Sequence, residues 1–550
     1  MTLPAALRFQ ARALEADVGF HGFFLAAGTE RVAGALRSAR VPCDLQRHEV
    51  GSGGEVLHLA TLGLPNPPAA SLSGPPVPRG ASAPGKRLGA AWGGEPVRQP
   101  WSATLYARGQ RPETARRVLA AALQVPQTSL QVRGALASPG VSVQLLRLPR
   151  GLPAEAREAL QGPLRSGLLA GQDPLVAVGG ATLLTPKESQ PRGRAAKRDT
   201  GGQADWSCTG HRYTVVVRDL DPRQVSSGLV DESIERVCSE GFINFFELAA
   251  FGLAEVRRYE VGAALWAGRW DAAARLLLGM NLGGEGSALA RASAAFRAGD
   301  LERGLELLPQ EGAEGLRGLA MQLLLSRPAL EALQRAVPRA VWVRHLSAVS
   351  RLAWNHAAAV RLTQWPRRPI PGDLIWDERA GEARPLGVEE VEGRHLSEVV
   401  LPLPRPGEPV PECTGRLRLE ATLNRLAPGD GAPVAAFPLE VSSLLPRARA
   451  IVGVPADVSW DISKAGPGPI VDCDLARLGA DPTPDSGGPG RGARAGGRRS
   501  SLRAGGLDGM ALRLRFSLPR GGSAEAVLRE VLHANPSEFC EGLGRRDEVF

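Results

Sequence analysis

Tyrosine, methionine and cysteine are scarce in this 550-residue chain, which contains three, four and six of them. No two cysteines have Cys-x-x-Cys spacing, and no group of histidines and cysteines has the spacing of a metal site, so the sequence predicts no metal. Sparse cysteine is typical of a reducing compartment, which predicts an intracellular protein of the nucleus, the cytoplasm or an organelle. The basic, acid-free start from Met1 to Leu14 leaves an organellar transit segment open.

Long apolar runs and the common nucleotide-binding motifs are also absent. The sequence has no stretch of about 18 apolar residues, so we predict no membrane partner. It has no glycine-rich loop followed by Lys-Ser or Lys-Thr and no Gly-x-Ser-x-Gly string, so neither a phosphate-binding loop nor a nucleophile elbow is predicted. We therefore expect no small-molecule cofactor. The length and the 43% hydrophobic content predict a globular body of two domains.

The net charge of +9 is concentrated in three segments that are rich in glycine, proline and serine. Residues 64–99 and 186–204 carry +3 each, and residues 486–506 carry five arginines without an acid. The rest of the chain is therefore slightly acidic. Flexible basic segments attract the phosphates of nucleic acids without reading their sequence, and solvated linkers have the same composition. We predict RNA as the partner and leave the linker interpretation open.

Residue patterns predict alternating strands and helices, which is typical of a mixed sheet with flanking helices. Helices are predicted at residues 31–40 and at Pro112–Leu123, where a proline starts the helix and apolar residues recur at helical spacing. Strands are predicted at residues 44–50, 55–62, 103–106, 130–134, 141–144 and 212–218, the first two as a hairpin.

The middle of the chain, from Val261 to Leu362, is predicted to be helical. Within it, two similar strings place Gly268 and Gly299 at equivalent positions, 31 residues apart. A helical-repeat interaction scaffold is therefore an alternative, although stacked repeats usually need three copies and the sequence shows two.

The most informative stretch follows the amphipathic run at residues 232–240 and is unusually rich in phenylalanine. It is Gly241-Phe-Ile-Asn-Phe-Phe-Glu-Leu-Ala-Ala-Phe-Gly252. Taken alone, such a cluster is more often part of a hydrophobic core. The string nevertheless resembles the Asn-Tyr-Phe-Gly-x-Gln-Arg-Phe-Gly signature of the TruD family of pseudouridine synthases, with Asn244, Phe246, Phe251 and Gly252 in place.

Other strings resemble the same family in the same order along the chain, from about residue 17 to about residue 533. They favour the eukaryotic branch. The strings are Cys43-Asp-Leu-Gln-Arg-His-Glu-Val50, His211-Arg-Tyr-Thr-Val-Val-Val-Arg-Asp219, Ala348-Val-Ser-Arg-Leu-Ala-Trp-Asn355, Pro371-Gly-Asp-Leu374 and Leu512-Arg-Leu-Arg-Phe-Ser-Leu-Pro-Arg-Gly521.

The resemblance implies an α+β fold, in which a pseudouridine synthase catalytic domain has a mixed, largely antiparallel sheet with flanking helices. It implies that a TruD-specific α/β domain at residues 371–455 is inserted into this catalytic domain, which occupies residues 17–370 and 456–533. The segments 64–99 and 186–204 are then flexible arms, and residues 464–506 are a flexible basic insertion.

The resemblance also implies a reaction, the isomerisation of uridine to pseudouridine in tRNA or another RNA, which needs a carboxylate at the ribose–base junction. The family supplies an aspartate in Gly-x-Lys-Asp-x-x-Ala-Val-Thr-x-Gln, and the corresponding string here is Gly134-Ala-Leu-Ala-Ser-Pro-Gly-Val-Ser-Val-Gln144. Ala137 stands at the aspartate and Leu136 at the lysine. No Asp or Glu occurs between Glu113 and Glu155, so this loop lacks the nucleophile.

The remaining catalytic candidates come from the resemblance too. Asn244 and Phe246 are kept, and Arg37 stands where the family has its active-site lysine. Alanines at 249 and 250 replace a Gln-Arg pair, and Glu247 replaces a glycine, which makes it a conceivable substitute carboxylate. The acids Asp219, Asp221 and Asp231 are expected to be ordinary turn residues.

The candidates for RNA contact are arginines in family-like strings and in the last basic segment, namely Arg212, Arg361, Arg491, Arg494, Arg498 and Arg499. Two main functions stay open beside the helical scaffold, an RNA pseudouridine synthase and a non-catalytic RNA-binding descendant. In both cases RNA, with tRNA first, is the predicted partner of a monomeric protein.

Overall fold

A computed structural model describes residues 18–20, 30–38, 41–51, 54–59, 101–109, 112–132, 140–149, 152–153, 176–183, 208–252, 256–280, 286–309, 313–365, 367–377, 379–429, 437, 445–466, 468–478 and 509–540. Ala137, Leu136 and the basic segments at 64–99, 186–204 and 486–506 lie outside the described residues. The predictions that concern them are not addressed by the fold.

The strands in the described residues are β1 (Leu45–Val50), β2 (Trp101–Arg108), β3 (Gln131–Val132), β4 (Val141–Leu148), β5 (Val176–Leu183), β6 (Gly210–Leu220), β7 (Phe242–Ile243), β8 (Leu374–Asp377), β9 (Glu382–Pro385), β10 (Val399–Pro402), β11 (Ala448–Ala450), β12 (Val452–Gly453), β13 (Ala456–Ala465) and β14 (Gly509–Pro519).

The helices are α1 (Pro112–Leu123), α2 (Pro222–Ser226), α3 (Leu229–Glu240), α4 (Arg258–Trp266), α5 (Trp270–Gly279), α6 (Ala288–Arg297), α7 (Leu301–Leu307), α8 (Glu314–Leu324), α9 (Ala329–Ala336), α10 (Arg339–Gln364), α11 (Arg416–Leu426), α12 (Asp474–Arg477), α13 (Ala524–Leu532) and α14 (Pro536–Phe539). The sequence placed α1 at its observed bounds.

The main sheet has the strand order β13-β14-β6-β1-β4-β2-β5, and β3 pairs with β4 beside this path. β1 and β4 run parallel, whereas the other described pairs of this sheet are antiparallel. The predicted α+β class, with a mixed and largely antiparallel sheet, is therefore confirmed.

The last described strand, β14, lies between β13 and β6, and its residues alternate so that one face is buried. Leu512, Leu514 and Phe516 are buried in one hydrophobic core, while the arginines between them are half-exposed. Leu514 pairs with Val215, and Phe516 pairs with Tyr213. Residues 512–518 of the last family-like string therefore share a sheet with residues 213–218.

The helices α3 and α13 cover one face of the sheet. α3 buries Val230, Ile234 and Val237, whose spacing of four and three residues puts them on one side of the helix. These side chains share a core with those of β6, β14 and α13. The sheet and the two helices therefore form two packed layers, and the turn from β14 into α13 ends beside the string at residues 241–252.

The helical region folds into three hairpins, α4–α5, α6–α7 and α8–α9, whose core includes the start of α10. Their turns contain Gly268, Gly299 and Ser326, at φ angles of 70°, 88° and 54°. In each turn, two successive backbone N–H groups donate to carbonyls three and five residues earlier, the pattern of a left-handed helix cap. Ser326 occupies a position that favours glycine, so the sequence does not reveal the third hairpin.

The segment after α10 forms its own antiparallel sheet, with the strand order β11-β10-β8-β9. Among the described residues this sheet shares a core with α10, because Val399 and Leu401 of β10 pack in one cluster with Leu352 and Ala358 of α10. β12, which follows directly, pairs with β7. The domain boundaries proposed at residues 371, 455 and 456 stay a prediction.

The helix predicted at residues 31–40 is wrong for the described part of that range. The backbone is extended, and Ala35 exchanges two N–H···O=C bonds of 2.8 Å with Arg218 of β6. Val32 and Leu36 are both buried at helical spacing, but their N–H groups donate to Leu532 and Phe539 of the last two helices. Tertiary pairing therefore overrides the local pattern.

The hairpin predicted after β1 is short. Val56 forms an isolated bridge with Val50, and the Leu57 N–H donates to the Glu49 carbonyl at 2.8 Å. In the part of the chain that the structure describes, no helix combines the length and the apolar character needed to cross a membrane.

Candidate functional site

The string at residues 241–252 lies at an edge where β7 meets the chain that returns from the second sheet. The Asn244 N–H donates to the Ile451 carbonyl at 2.9 Å, and its side-chain amide donates to the Ala450 carbonyl at 3.1 Å. Phe245 is buried, whereas Phe246 is half-buried. We call the residues around the Phe246 ring the cleft. The small two-stranded sheet of β7 and β12 therefore sets the position of Phe246.

Arg449 of β11 forms hydrogen bonds to several segments around the cleft. Its guanidinium donates to the carbonyl of Asn244 at 2.8 Å, to the Asn244 side-chain oxygen at 2.7 Å and to the Gly521 carbonyl at 2.7 Å. The same group lies 4.0 Å from the centre of the Phe246 ring, which is close enough for a cation–π contact. One side chain thus joins the phenylalanine string, the second sheet and the turn before α13.

Two residues of α10 hold Phe246 from the other side. The fully buried Asn355 accepts from the Phe246 N–H at 3.0 Å and donates to the Val18 carbonyl at 2.9 Å. Trp354 meets the Phe246 ring edge-on, with 5.5 Å between ring centres. The family-like Trp-Asn pair of the sequence therefore positions the backbone and the ring of the candidate catalytic phenylalanine.

A second cation, Arg351 of α10, lies 5.3 Å from the centre of the Phe246 ring. Burial lowers the pKa of Arg449 to about 9, and the positive charge of Arg351 adds to this effect. Burial lowers the pKa of Arg351 to about 10 in the same way, and the charge of Glu247 opposes the shift in both groups. Among the described residues, no carboxylate lies within ion-pair distance of either guanidinium.

Two carboxyl groups reach the same region. A small cavity with room for about one water molecule lies between Phe20, Phe245, Glu247, Glu525 and Arg529. One Glu525 oxygen is buried and has no hydrogen-bond partner among the described residues. Burial, together with the nearby charge of Glu247, raises the pKa of Glu525 to about 8. The raised pKa favours the neutral acid form of Glu525, which can donate a hydrogen bond.

Replacing Glu525 with Gln should flatten the pH dependence of stability. A carboxyl group with a raised pKa in the folded state binds its proton more tightly when folded, so the free energy of unfolding falls as the pH rises from about 4.5 to about 8. Gln keeps the size of the neutral acid and removes this titration. Urea denaturation of wild type and Glu525→Gln between about pH 5 and pH 8 measures the difference.

The matched control for this substitution is Glu389→Gln, because Glu389 is exposed on the second sheet. We expect the control to keep the wild-type slope of unfolding free energy against pH. If Glu525→Gln also keeps that slope, Glu525 is charged in the folded protein and cannot donate a hydrogen bond at neutral pH.

Arg37 is not one of the cations beside Phe246 and instead contacts the end of β6. Its guanidinium forms an ion pair with Asp219 at 2.5 Å, and its charge also acts on Asp44. Asp44 itself forms a buried, two-pronged pair with Arg218, at 2.6 and 2.8 Å. A catalytic role for Arg37 stays a prediction.

The other acids near the ends of elements have structural roles. The Asp221 side chain caps the start of α2 by accepting from the Arg223 N–H at 2.9 Å. Asp231 accepts a hydrogen bond of 2.6 Å from the Trp460 indole of β13. These contacts fit the expectation of ordinary turn and helix-end acids.

Arg361 contradicts its predicted role. Its guanidinium is fully buried and binds both oxygens of Asp373, at 2.9 and 2.6 Å, so it cannot reach RNA in this fold. The Thr414 hydroxyl and the Ile370 N–H also donate to Asp373. The pair instead fixes the end of α10 against the entry to the second sheet.

Arg212 is partly exposed at the sheet, where it donates to Ser517 at 3.1 Å and lies 3.3 Å from Asp457. Burial lowers its pKa, and Asp457 partly offsets the shift. Its RNA contact stays a prediction, as do those of Arg491, Arg494, Arg498 and Arg499, which lie outside the described residues. The same holds for the catalytic position at Ala137.

Sequence patterns missed three residues of the cleft, Arg351, Arg449 and Glu525. Arg449 lies 205 positions after Asn244, and its role depends on three carbonyls that only the fold brings together. Arg351 has a weak sequence signal, since it lies three residues before the family-like Trp354 and Asn355. Glu525 is an ordinary first-turn acid of a helix until burial beside Glu247 makes it unusual.

Known proteins with similar sequence or fold point to one family. Residues 207–401 match the family model described as tRNA pseudouridine synthase D (TruD). The bovine pseudouridylate synthase 7 homolog (Bos taurus) is 24% identical over 339 residues, which cover 60% of this chain and 47% of the relative. The multisubstrate pseudouridine synthase 7 of Schizosaccharomyces pombe is 26% identical over 230 residues, covering 36% of this chain and 32% of the relative.

A crystal structure assigned to TruD from Methanosarcina mazei has the same fold. It superposes with a TM-score of 0.54 at 15% identity and covers 95% of this chain and 98% of its own. In contrast, the match to this chain spans about half the length of the bovine relative and about a third of the length of the yeast relative. The family model, the curated relatives and the shared fold all lead to the same protein family.

Proposed function

Because the chain is a member of the TruD family, we propose that it binds RNA and takes a uridine into the cleft beside Phe246, as a pseudouridine synthase does. The observation that carries the proposal is the Phe246 ring with two guanidinium groups, Arg449 and Arg351, at 4.0 and 5.3 Å from its centre. An aromatic face can stack an unpaired base, and neighbouring arginines can neutralise its phosphate. The absence of an ion-paired carboxylate among the described residues leaves both charges available to an anion.

The first candidate function is the reaction of pseudouridine synthases, the isomerisation of uridine to pseudouridine. It breaks the bond between the ribose and the base nitrogen, and then joins the ribose to a base carbon. A carboxylate must act at that junction. If this chain catalyses the reaction, the candidates for the carboxyl group are Glu247 and Glu525, which line the small cavity beside Phe245.

The second candidate is an RNA-binding protein without catalysis. It is favoured by Ala137 at the family's nucleophile position and by the absence of any acid between Glu113 and Glu155. Both candidates bind RNA through the same cleft, and tRNA is the first substrate to test. The proposals of a monomer and of action without a cofactor apply to both.

An RNA titration at several salt concentrations tests the binding proposal with two variants that act differently. Deleting residues 486–506 removes five arginines and should reduce the slope of log affinity against log salt by up to about 3.5 for single-stranded RNA. Phe246→Ala removes one stacking surface and should weaken binding roughly 5- to 150-fold with an unchanged slope. Filter binding with an unmodified tRNA transcript measures both effects.

Trp365→Ala is the matched control for the aromatic substitution, because Trp365 is an exposed aromatic residue just after α10. We expect this variant to bind as wild type does. If Phe246→Ala binds RNA as tightly as Trp365→Ala, the cleft does not receive the nucleotide. An unchanged salt slope after the deletion means that the segment at residues 486–506 is a linker.

A further inference from the structure

A cluster of two histidines and one aspartate lies within the main sheet, outside the cleft described above. His48 projects from β1, His58 follows the short hairpin, and Asp474 is the first residue of α12. His48 Nε2 is 3.4 Å and His58 Nδ1 is 3.1 Å from the same carboxylate oxygen, Oδ1 of Asp474. Three segments that are distant in sequence thus direct ligand-type atoms to one point.

The cluster is buried. The side chains of His48, His58 and Asp474 are 7%, 17% and 1% exposed, so the group is shielded from solvent on most sides. The second oxygen of Asp474 accepts from the Leu59 N–H at 2.7 Å, which fixes the orientation of the carboxylate. A backbone partner that orients a carboxylate in this way is typical of the outer shell of metal sites.

We propose that His48, His58 and Asp474 form a site for a divalent transition-metal ion, with zinc as the best-suited ion. Zinc prefers imidazole nitrogens and carboxylate oxygens at about 2.0–2.2 Å in a tetrahedral arrangement, which separates ligand atoms by about 3.4 Å. Two of the three separations already have this length. All three ligand atoms lie within 4.8 Å of one another, so displacing each imidazole nitrogen by less than about 1 Å gives the spacing of three of the four tetrahedral positions.

Hydrogen bonds from the two histidines to Asp474 can also account for this arrangement without a metal. The experiment must therefore distinguish a hydrogen-bonded cluster from a metal site. In the hydrogen-bonded account both imidazoles donate to Asp474, which therefore needs their protons. In the metal account the ion replaces both protons and binds the same three atoms. Each neutral imidazole then carries its one proton on the other ring nitrogen, so the change is a change of tautomer.

The position of the site indicates what the ion does. Gln46, two residues before His48 on the same face of β1, donates to the carbonyls of Val471 and Asp472 at 3.4 Å. The side chains of β1 therefore fix the chain from residue 471 to α12. A metal ion there would join β1 to the segment from which the arginine-rich residues 486–506 follow.

Metal content of the purified full-length chain tests the proposal. After chelation, incubation with ZnCl2 and dialysis against metal-free buffer, we expect wild type to retain about one equivalent of zinc. Asp474→Asn and His58→Gln should lose it, whereas His395→Gln, at an exposed histidine of the second sheet, should keep it. Zinc, but not magnesium, should raise the thermal midpoint of wild type and not that of the two site variants.

Cobalt identifies the ligands, because the chain also has six free cysteines. Co²⁺ at the proposed site should give the visible bands of a tetrahedral ion without the intense near-ultraviolet band of thiolate ligation. Circular dichroism shows whether the variants fold. Wild type that retains no metal, or equal retention in folded Asp474→Asn, overturns the proposal and leaves a hydrogen-bonded cluster.

Discussion

The purified protein is expected to form no detectable pseudouridine in unmodified tRNA transcripts. The family's nucleophile acts directly on the sugar, and the resemblance places Ala137, which has no carboxylate, at that position. Leu136 also replaces the neighbouring lysine, and Ala249 and Ala250 replace the Gln-Arg pair. Loss of a nucleophile leaves only the small rate that binding and proximity provide. Mass spectrometry of digested nucleosides measures the product.

Restoring the carboxylate alone should not restore the reaction. We expect Ala137→Asp to stay inactive, because no lysine or Gln-Arg pair orients the new carboxylate, and a misplacement of about 1 Å can cost about 100-fold. A family member that contains the complete Gly-x-Lys-Asp motif serves as the positive control on the same transcript.

Robust product from wild type would refute this expectation and direct attention to the cleft acids. Glu247→Ala and Glu525→Gln would then identify the acting group. Abolished product in only one of these variants assigns the role to that residue. The pH profile distinguishes them further, because Glu525, with a pKa of about 8, acts as an acid below that pH.

The largest stability effect is expected from Asp373→Ala. This change leaves Arg361 as a fully buried charge without its counter-ion, and it also removes the acceptor of Thr414 and Ile370. Breaking one side of a buried ion pair typically costs about 3–5 kcal/mol. That loss is a large part of the 5–15 kcal/mol that keeps most domains folded. The midpoint of urea denaturation should fall accordingly.

Two comparisons show whether the effect comes from the buried charge. Glu306→Ala breaks an exposed pair with Arg303 and should change the midpoint little. The double variant Arg361→Met/Asp373→Leu removes both charges and should recover most of the lost stability, since apolar replacements of buried pairs are often neutral. Equal midpoints for Asp373→Ala and Glu306→Ala would contradict the prediction.

The elements that could be predicted from the sequence are those whose pattern and environment agree. β14 alternates apolar and polar residues and has one buried face, and α1 begins with a proline at its first position. The helix expected at residues 31–40 failed because Val32 and Leu36 have helical spacing while β6 and the last helices supply the backbone partners. Local spacing cannot show such long-range pairing.

The site was predictable only in part. Asn244 and Phe246 lie in the cleft, and Trp354 and Asn355 support them. Arg361, in contrast, was expected to bind RNA because it follows the Trp-Asn pair, whereas it pairs with Asp373 from the next family-like string. Two residues from strings that look functional in sequence, Arg361 and Asp373, therefore form one internal ion pair.

The same lesson applies to Asp44 and Arg218, which belong to two other family-like strings and form a second buried pair. Family resemblance identifies positions that the fold requires, and it does not separate structural charges from those that meet a ligand. Burial makes that separation. Arg449 lies in no family-like string and Arg351 was not singled out within its own, yet among the described residues neither has an ion-paired carboxylate beside Phe246.

The three hairpins of the helical region make this part of the molecule extendable. Their core includes one face of α10 and does not include the side chains of the main sheet. Each turn closes with the same backbone cap, including the one that uses Ser326 in place of glycine. A duplication or loss of the hairpin α6–α7 or α8–α9 would therefore change the length of the protein without removing the contacts of α4 to Ala249 and Phe251. The size of this region can therefore change independently of the residues around Phe246.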